Sequence, residues 1–283
     1  MQIGIIGQGF VGSAIRVGLE KYFGVRTYDL DTSKCNSNLK EVASESDIIF
    51  VCLPTPMRKD GTCDLRILHE ALLELNEVAR ERSERPTVVL KSTIPPGTTA
   101  MFNSLVDSLN IIFSPEFLTE ARSFEDFKNQ SRIILGDDPD TDCAGAKLVK
   151  QMFRRAFPQI PIVITKSETA EMVKYFTNCF LATKVIFANQ MFEICEAAEI
   201  DYDKVVEYAL YDNRIGNSHL AVPGPDGDKG YGGHCFPKDL AAMIAFATNQ
   251  NIEPNLLKAV EETNSKYRTN KDWEQMTGRA VSD

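Results

Sequence analysis

Along the first 165 residues, short apolar runs alternate with stretches of helical periodicity. The apolar runs predict strands at Ile3–Ile6, Val25–Tyr28, Ile48–Leu53, Thr87–Leu90, Ile111–Phe113, Ile133–Leu135 and Ile162–Ile164. Helical spacing falls near Val11–Tyr22, Leu65–Arg82, Thr98–Asn110 and Cys143–Phe153. Such alternation predicts an α/β domain with a doubly wound, mainly parallel sheet. Past Thr165 the strand pattern stops. Thr165 and Glu168 stand at capping-box spacing, and helical periodicity then runs unbroken to about Ile200. A helix that long, apolar over much of its surface, needs partners on several sides. The expected division is therefore 1–165 as the α/β domain and 166–283 as an all-helical domain built around one long helix.

Composition narrows the classes of function. The chain has 283 residues, 43% hydrophobic and 25% charged, with a formal net charge of -9 and no block of Lys or Arg. That argues against a nucleic-acid surface. No stretch is long and apolar enough to span a membrane, and Met1–Gly4 enters a strand directly, unlike a signal peptide. Seven cysteines, an odd number without paired metal-ligand spacing, fit a reducing cytoplasm and predict no metal site.

Chemistry enters at Gly7-Gln8-Gly9-Phe10-Val11-Gly12, which has G-x-G-x-x-G spacing between a strand and a helix. The first glycine permits a tight turn, the second lets backbone approach a pyrophosphate, and the third lets helix and strand pack closely. Asp29, at the end of the next strand, stands where a ribose-binding carboxylate is expected. The first domain thus reads as Rossmann-like. Asp29 would repel a 2′-phosphate and favours NAD over NADP; Arg26 and Lys34 lie close by in sequence and pull the other way. Glycines that merely serve packing are the bland alternative.

The second half carries Gly232-Gly233-His234-Cys235-Phe236-Pro237-Lys238-Asp239. Pro237 and Asp239 suit a first helical turn, which sets Cys235 just ahead of a helix N-terminus, where backbone dipoles favour a thiolate. Spacing alone equally allows a small residue at a tight junction. Lys174 and Asn178, four apart on the long helix, share a face and could polarise one oxygen atom, or could simply be solvated. Ser114-Pro115-Glu116-Phe117-Leu118-Thr119-Glu120 follows a strand at its carboxyl end, where open α/β sheets bind ligands.

These segments, with Pro54-Thr55-Pro56, Lys91–Thr98 and Asp212–Gly216, stand in the order found in the UDP-glucose/GDP-mannose dehydrogenase family. The chain resembles that family from Met1 to about Asn264, and the Cys-Phe-Pro-Lys-Asp form preceded by Val222–Gly227 is most similar to its UDP-glucose branch. The resemblance implies an NAD-binding domain and a helical dimerisation domain, and a sugar-nucleotide substrate oxidised twice at C6. It implies Cys235 as nucleophile, Lys174 and Asn178 steadying the oxyanion, Glu120 handling the proton or water, and Asp239 orienting the site. It puts Thr93 on the nicotinamide side. Gly7, Gly9, Phe10, Val11, Gly12, Asp29, Lys34, Thr55, Glu120 and Lys238 become cofactor positions. Glu116, Phe117, Leu118, Gly224, Gly232 and Arg214 become substrate positions, with Arg214 reaching across a homodimer.

Two departures from the family pattern stand out. The segment between Asp31 and Asp47 is short, which trims the adenine side. The second Rossmann-like domain that family members carry after this point is not in the 283 residues, which predicts an active dimer of low nucleotide affinity. Rival readings are a GDP-mannose or UDP-N-acetylmannosamine dehydrogenase, a β-hydroxyacid-type enzyme performing one oxidation without a thiol, and a non-catalytic dimeric scaffold.

Overall fold

In the computed structural model, residues 1–282 are described except 139 and 141; position 283, the last of the expected second domain, lies outside the described residues. The chain divides into two compact units. One comprises Met1–Thr55 and Leu65–Lys174, the other Pro56–Asp64 and Tyr175–Asp283.

The first unit is built on β1 (Gln2–Ile6), α1 (Phe10–Leu19), β2 (Gly24–Tyr28), α2 (Leu39–Glu45), β3 (Ile48–Val51), α3 (Arg66–Ala79) and β4 (Thr87–Leu90). It continues through α4 (Thr98–Leu105), β5 (Asn110–Phe113), α5 (Ser123–Lys128), β6 (Ile133–Gly136), α6 (Ala144–Ala156) and β7 (Ile162–Thr165). The seven strands lie in the order β2-β1-β3-β4-β5-β6-β7. All pairs are parallel except β5 and β6, which meet antiparallel at Phe113 and Gly136.

Strand residues alternate between two apolar clusters. Ile48 and Phe50 enter one with Ile3, Ile5, Val89 and Ile112; Ile49 and Val51 enter the other with Ile6, Val88, Leu90 and Phe113. Period-2 side chains with both faces buried are what a sheet covered by helices requires, and they explain why these strands read as continuous apolar runs. The strand order reverses at β1, whose neighbours are β2 and β3. The turns after β1 and β3 therefore lie at a topological switch point, where open α/β sheets bind ligands.

Two short helices were not evident in the hydrophobic pattern. α2 has a full capping box, with Asn38 accepting from the Glu41 N–H and Glu41 reaching back to the Asn38 N–H. It lies in the stretch between Asp31 and Asp47. α5 is a six-residue helix that buries only Ser123 and Phe127.

The long helix α7 spans Ser167–Ala197, begins in the first unit and continues into the second. The second unit adds α8 (Tyr202–Ala209), α9 (Phe236–Asn249) and α10 (Asn255–Tyr267). Its core gathers Cys179, Ala182 and Ile186 of α7 with Tyr231, Leu240 and Val260. Among the described residues, no helix is long and apolar enough to cross a membrane.

Candidate active site

The glycine turn sits at the carboxyl end of β1. Gly7 adopts φ +87°, and a Cβ there would stand 2.5 Å from the Cys52 carbonyl oxygen, so only glycine fits. At Gly12 a Cβ would stand 1.9 Å from the Gly7 carbonyl oxygen, which closes the turn against α1. At Gly9, the N-cap of α1, a Cβ would meet nothing within 4 Å. Open space beside a helix N-terminus fits a pyrophosphate. Phe10 and Val11 open α1. Asp29 follows β2 and accepts from the Gln8 N–H at 2.6 Å and the Asp31 N–H at 2.9 Å, which fixes its carboxylate beside the turn. Lys34 is half-exposed and pairs with Asp31, while Arg26 pairs with Glu45. Both basic residues flanking the ribose position are thus committed to other carboxylates.

After β3 and β4 the chain makes two linked turns. Thr55 is buried and donates to the Thr93 carbonyl at 2.7 Å, and Ser92 donates to the Leu53 carbonyl at 2.6 Å. Lys91, between them, is buried too, and its Nζ reaches the Pro115 carbonyl at 3.1 Å and Ser114 Oγ at 3.3 Å. That lysine therefore fastens the start of the Ser114–Glu120 segment to β4.

Within that segment, Glu116 is buried and forms an ion pair with Lys174 of α7. Lys174 Nζ lies 2.9 Å from Glu116 Oε1 and 2.9 Å from the Glu116 carbonyl, and Leu118 N–H donates to Oε2 at 2.7 Å. Burial pushes the Glu116 carboxyl up; the Lys174 ammonium, the Leu118 N–H and the more distant Lys91 outweigh it and hold the group below its ordinary range. For Lys91 burial wins, and its pKa falls to about 8 despite Glu116. Phe117 stacks under the Arg132 guanidinium at 3.9 Å. A cavity of about 430 Å³ in this unit is lined by Lys91, Glu116, Phe117, Leu118, Val11 and Arg132, among others. Glu120 lies on an exposed 3-10 turn, Glu120–Arg122.

In the second unit Asn178, one turn beyond Lys174 on α7, donates to Asp239 Oδ2 at 2.6 Å. Lys238 Nζ lies 2.5 Å from the other oxygen, Oδ1. All three side chains are buried. Burial alone would pull the Lys238 ammonium down, but the Asp239 carboxylate, with smaller contributions from Cys235 and Cys63, raises it above its ordinary value. The triad locks the first turn of α9. Cys235 is the N-cap of that helix, with Pro237 in the first turn as its fixed φ and missing N–H permit. Cys52 and Cys179 are pushed up to about 12 by burial, as inert packing thiols are.

Gly224 and Gly232 lie in the loop before α9. Arg214 is 89% exposed and pairs with Asp212 at 2.5 Å. Sequence reasoning quoted Lys91 only within the Lys91–Thr98 segment, without a role of its own, and did not reach Glu171. Glu171 is wholly buried and accepts from the Gly97 and Thr99 N–H groups and the Thr99 hydroxyl at 2.6–2.8 Å, capping α4. Their spacing carries no sign of burial; only contacts with segments distant in sequence reveal it. Among the described residues, no three His, Cys, Asp or Glu side chains are grouped to hold a metal.

The strand order, the glycine turn and the fixed carboxylate after β2 place the first unit in the class of dinucleotide-binding domains. Comparison narrows the class: the family model for the NAD binding domain of the UDP-glucose/GDP-mannose dehydrogenase family matches residues 25–157, and that for the family's central domain matches residues 168–266. The chain belongs to that family. It is 35% identical over 251 residues to the UDP-glucose 6-dehydrogenase AglM of Haloferax volcanii, covering 85% of this chain and 57% of that one. It is 31% identical to the UDP-glucose 6-dehydrogenase YwqF of Bacillus subtilis, covering 95% and 67% respectively. Among solved structures, a UDP-glucose dehydrogenase from Pyrobaculum islandicum superposes with a TM-score of 0.83 at 27% identity, covering 94% of this chain and 68% of that one. The chain thus spans little more than half of AglM and two thirds of YwqF.

Proposed function

We propose that the protein oxidises the C6 alcohol of UDP-glucose to the carboxylate of UDP-glucuronate in two NAD-dependent steps. The seat of Cys235 carries this reading: it is the N-cap of a helix whose first turn is fixed by the buried Lys238–Asp239–Asn178 triad. NAD, held through Gly7–Gly12, Asp29, Thr55 and Thr93, supplies the acceptor for one hydride in each step. In the first step Lys174 and Asn178 steady the alcohol oxygen while its proton passes through Glu120 to water, and loss of the C6 hydride gives an aldehyde. A planar aldehyde cannot yield a second hydride to become an acid until a nucleophile makes the carbon tetrahedral. Cys235 Sγ adds to that carbon and forms a thiohemiacetal. Loss of the second hydride, with the hydroxyl proton passing to water, leaves a thioester on Cys235. Water, directed by Glu120, attacks the acyl carbon, the C–S bond breaks, and acid and thiol are released. Glu116, Phe117 and Leu118, with Gly224 and Gly232, hold the substrate.

Counting NADH per sugar consumed tests this, with UDP-glucose, GDP-mannose and UDP-N-acetylmannosamine as substrates. Two NADH per UDP-glucose, with no free aldehyde, is expected. One per sugar would favour a β-hydroxyacid-type oxidation. None with any of the three, from folded protein that still binds NAD, would favour a scaffold.

The protein also acts as a homodimer in this reading. α7 exposes Phe176, Phe180, Phe187 and Ile194 at 71%, 60%, 59% and 54%, spaced four or seven apart along one stripe. A row of large apolar side chains on one helix face calls for a matching face, and the same face of a second copy provides it. Sedimentation should give a dimer at micromolar concentration, and Phe180→Asp a monomer. A monomeric wild type would overturn the assignment.

A further inference from the structure

The loop from Val222 to Cys235 has no helix or strand of its own, so its course is set by what holds it. At its middle, Gly230 N–H donates to Asn189 Oδ1 at 3.0 Å, and Asn264 clasps Tyr231 through both backbone groups at 2.8 and 3.0 Å. Nearer the thiol the hold comes from residues beyond α10. Gly233 N–H points at both carboxylate oxygens of Asp272, at 3.0 and 3.2 Å. Arg268, with a side chain only 2% exposed, ties Asp272 to the loop. Its Nη2 lies 3.3 Å from Asp272 Oδ1, its Nη1 lies 2.6 Å from Asp226 Oδ2, and its Nε donates to the Asn270 carbonyl at 2.8 Å. The missing side chain of Gly232 leaves the room they occupy, since a Cβ there would stand 2.3–2.4 Å from the Arg268 guanidinium and Asp272 Oδ1.

The same segment is anchored at its far end. Trp273 is buried, and the chain then turns so that Ala280 accepts from the Met57 N–H and Ser282 N–H donates to the Met57 carbonyl, both at 2.8 Å. Residues 268–282 thus join two loops of the second unit, Pro56–Asp64 and Val222–Cys235. A guanidinium fork meeting fixed carboxylates loses little freedom per bond, so it suits a rigid tie.

We propose that residues 268–282 clamp the nucleophile loop, with Asp272 and Arg268 as positioning residues for the Cys235 thiol. This rests on Cys235 being the nucleophile. Asp272 takes the backbone N–H two residues before Cys235 and Arg268 holds Asp272 in place, so the sulfur is delivered to one position. Releasing Gly233 lets that position wander, and a displacement of about 1 Å at a reacting atom can cost on the order of 100-fold in rate. Releasing it also opens the thiol to small reagents and removes a nearby negative charge.

The test reads both consequences on the intact protein. Alkylation of Cys235 by iodoacetamide, located by peptide mass, is measured alongside kcat, KM and NAD affinity for Asp272→Ala, Asp272→Asn and Arg268→Lys. For Asp272→Ala, alkylation should rise about fivefold and kcat fall roughly tenfold or more, with NAD affinity within about twofold. Asp272→Asn, which keeps an acceptor for Gly233, should recover most of kcat, and Arg268→Lys should behave like Asp272→Ala. General loosening would expose the buried Cys179 and Cys195 as well, whereas release of the clamp raises alkylation at Cys235 alone. Should Asp272→Ala fail to fold, Arg268→Lys carries the test. Unchanged alkylation and kcat in the folded variants would overturn the clamp. Alkylation needs no sugar nucleotide, so it reports on the clamp even if no candidate substrate is turned over.

Discussion

Each unit buries a lysine against a carboxylate, yet the two lysines move in opposite directions. Lys238 stands against Asp239, and that attraction outweighs burial, so its ammonium is more firmly protonated than in water. Lys91 is equally hidden, but the carboxylate nearest in charge, Glu116, is already engaged by Lys174, and its pKa falls to about 8. One carboxylate cannot fully compensate two buried ammonium groups. The second unit thus holds a closed, rigid triad at the start of α9, while the first holds an electrostatically strained trio next to a cavity. Rigidity suits a helix whose N-cap, Cys235, is the proposed nucleophile. A cluster with an excess of positive charge suits the recognition of an anionic ligand.

The largest expected effect separates the chemistry of the second unit from binding in the first. Cys235→Ser should lower acid formation on the order of 1000-fold or more, while NAD affinity measured by fluorescence stays unchanged. Normal turnover by this variant would remove the covalent mechanism. Next come the two ion pairs. Lys238→Met should destabilise the protein by about 3–5 kcal/mol in urea denaturation, because Asp239 is left buried without its ammonium. Lys174→Met should cost about half as much, since Lys91 still offsets Glu116. Equal losses would show that Lys91 does not share that charge.

A smaller effect distinguishes the lysines by pH. Above pH 8 Lys91 gives up its proton and Glu116 keeps Lys174 alone, whereas Lys238 stays charged. Turnover should therefore fall on an alkaline limb centred near 8, roughly tenfold per further pH unit, and Lys91→Gln should erase that limb. A limb that persists in Lys91→Gln would assign it to another of the groups facing Lys91, namely Cys52, Glu116 or Lys174. Least in size, Asp29→Ala should narrow the preference for NAD over NADP by several-fold in kcat/KM. Equal use of both by the wild type would mean that Arg26 or Lys34 governs the ribose side, despite their pairing with Glu45 and Asp31.

How much of this was legible before folding varies with range. Every strand and all the longer helices of the first unit were readable from periodicity, with ends off by a few residues. α2 was missed although Asn38 and Glu41 carry a capping box, because seven residues give too few apolar repeats to register. The glycine turn and the start of α9 were readable because Gly7, Gly12 and Pro237 act on the backbone within a few residues of themselves. Roles were less readable than positions. Glu116 and Glu120 look alike in sequence, yet one is buried against Lys174 and the other lies on an exposed turn.

Local chemistry is thus the part that the chain's own order determined: which segments are strands, where a helix begins, which turn admits a pyrophosphate, and that a thiol precedes a helix. Tertiary structure decided which charges share a burial site. Glu116 meets Lys174 across 58 positions, Asn178 meets Asp239 across 61, and Gly233 meets Asp272 across 39. The physical reason is that periodicity and capping act over a turn or two of backbone. The energy of a buried charge depends instead on every group within a few ångströms, and those groups are assembled only when the sheet and helices close.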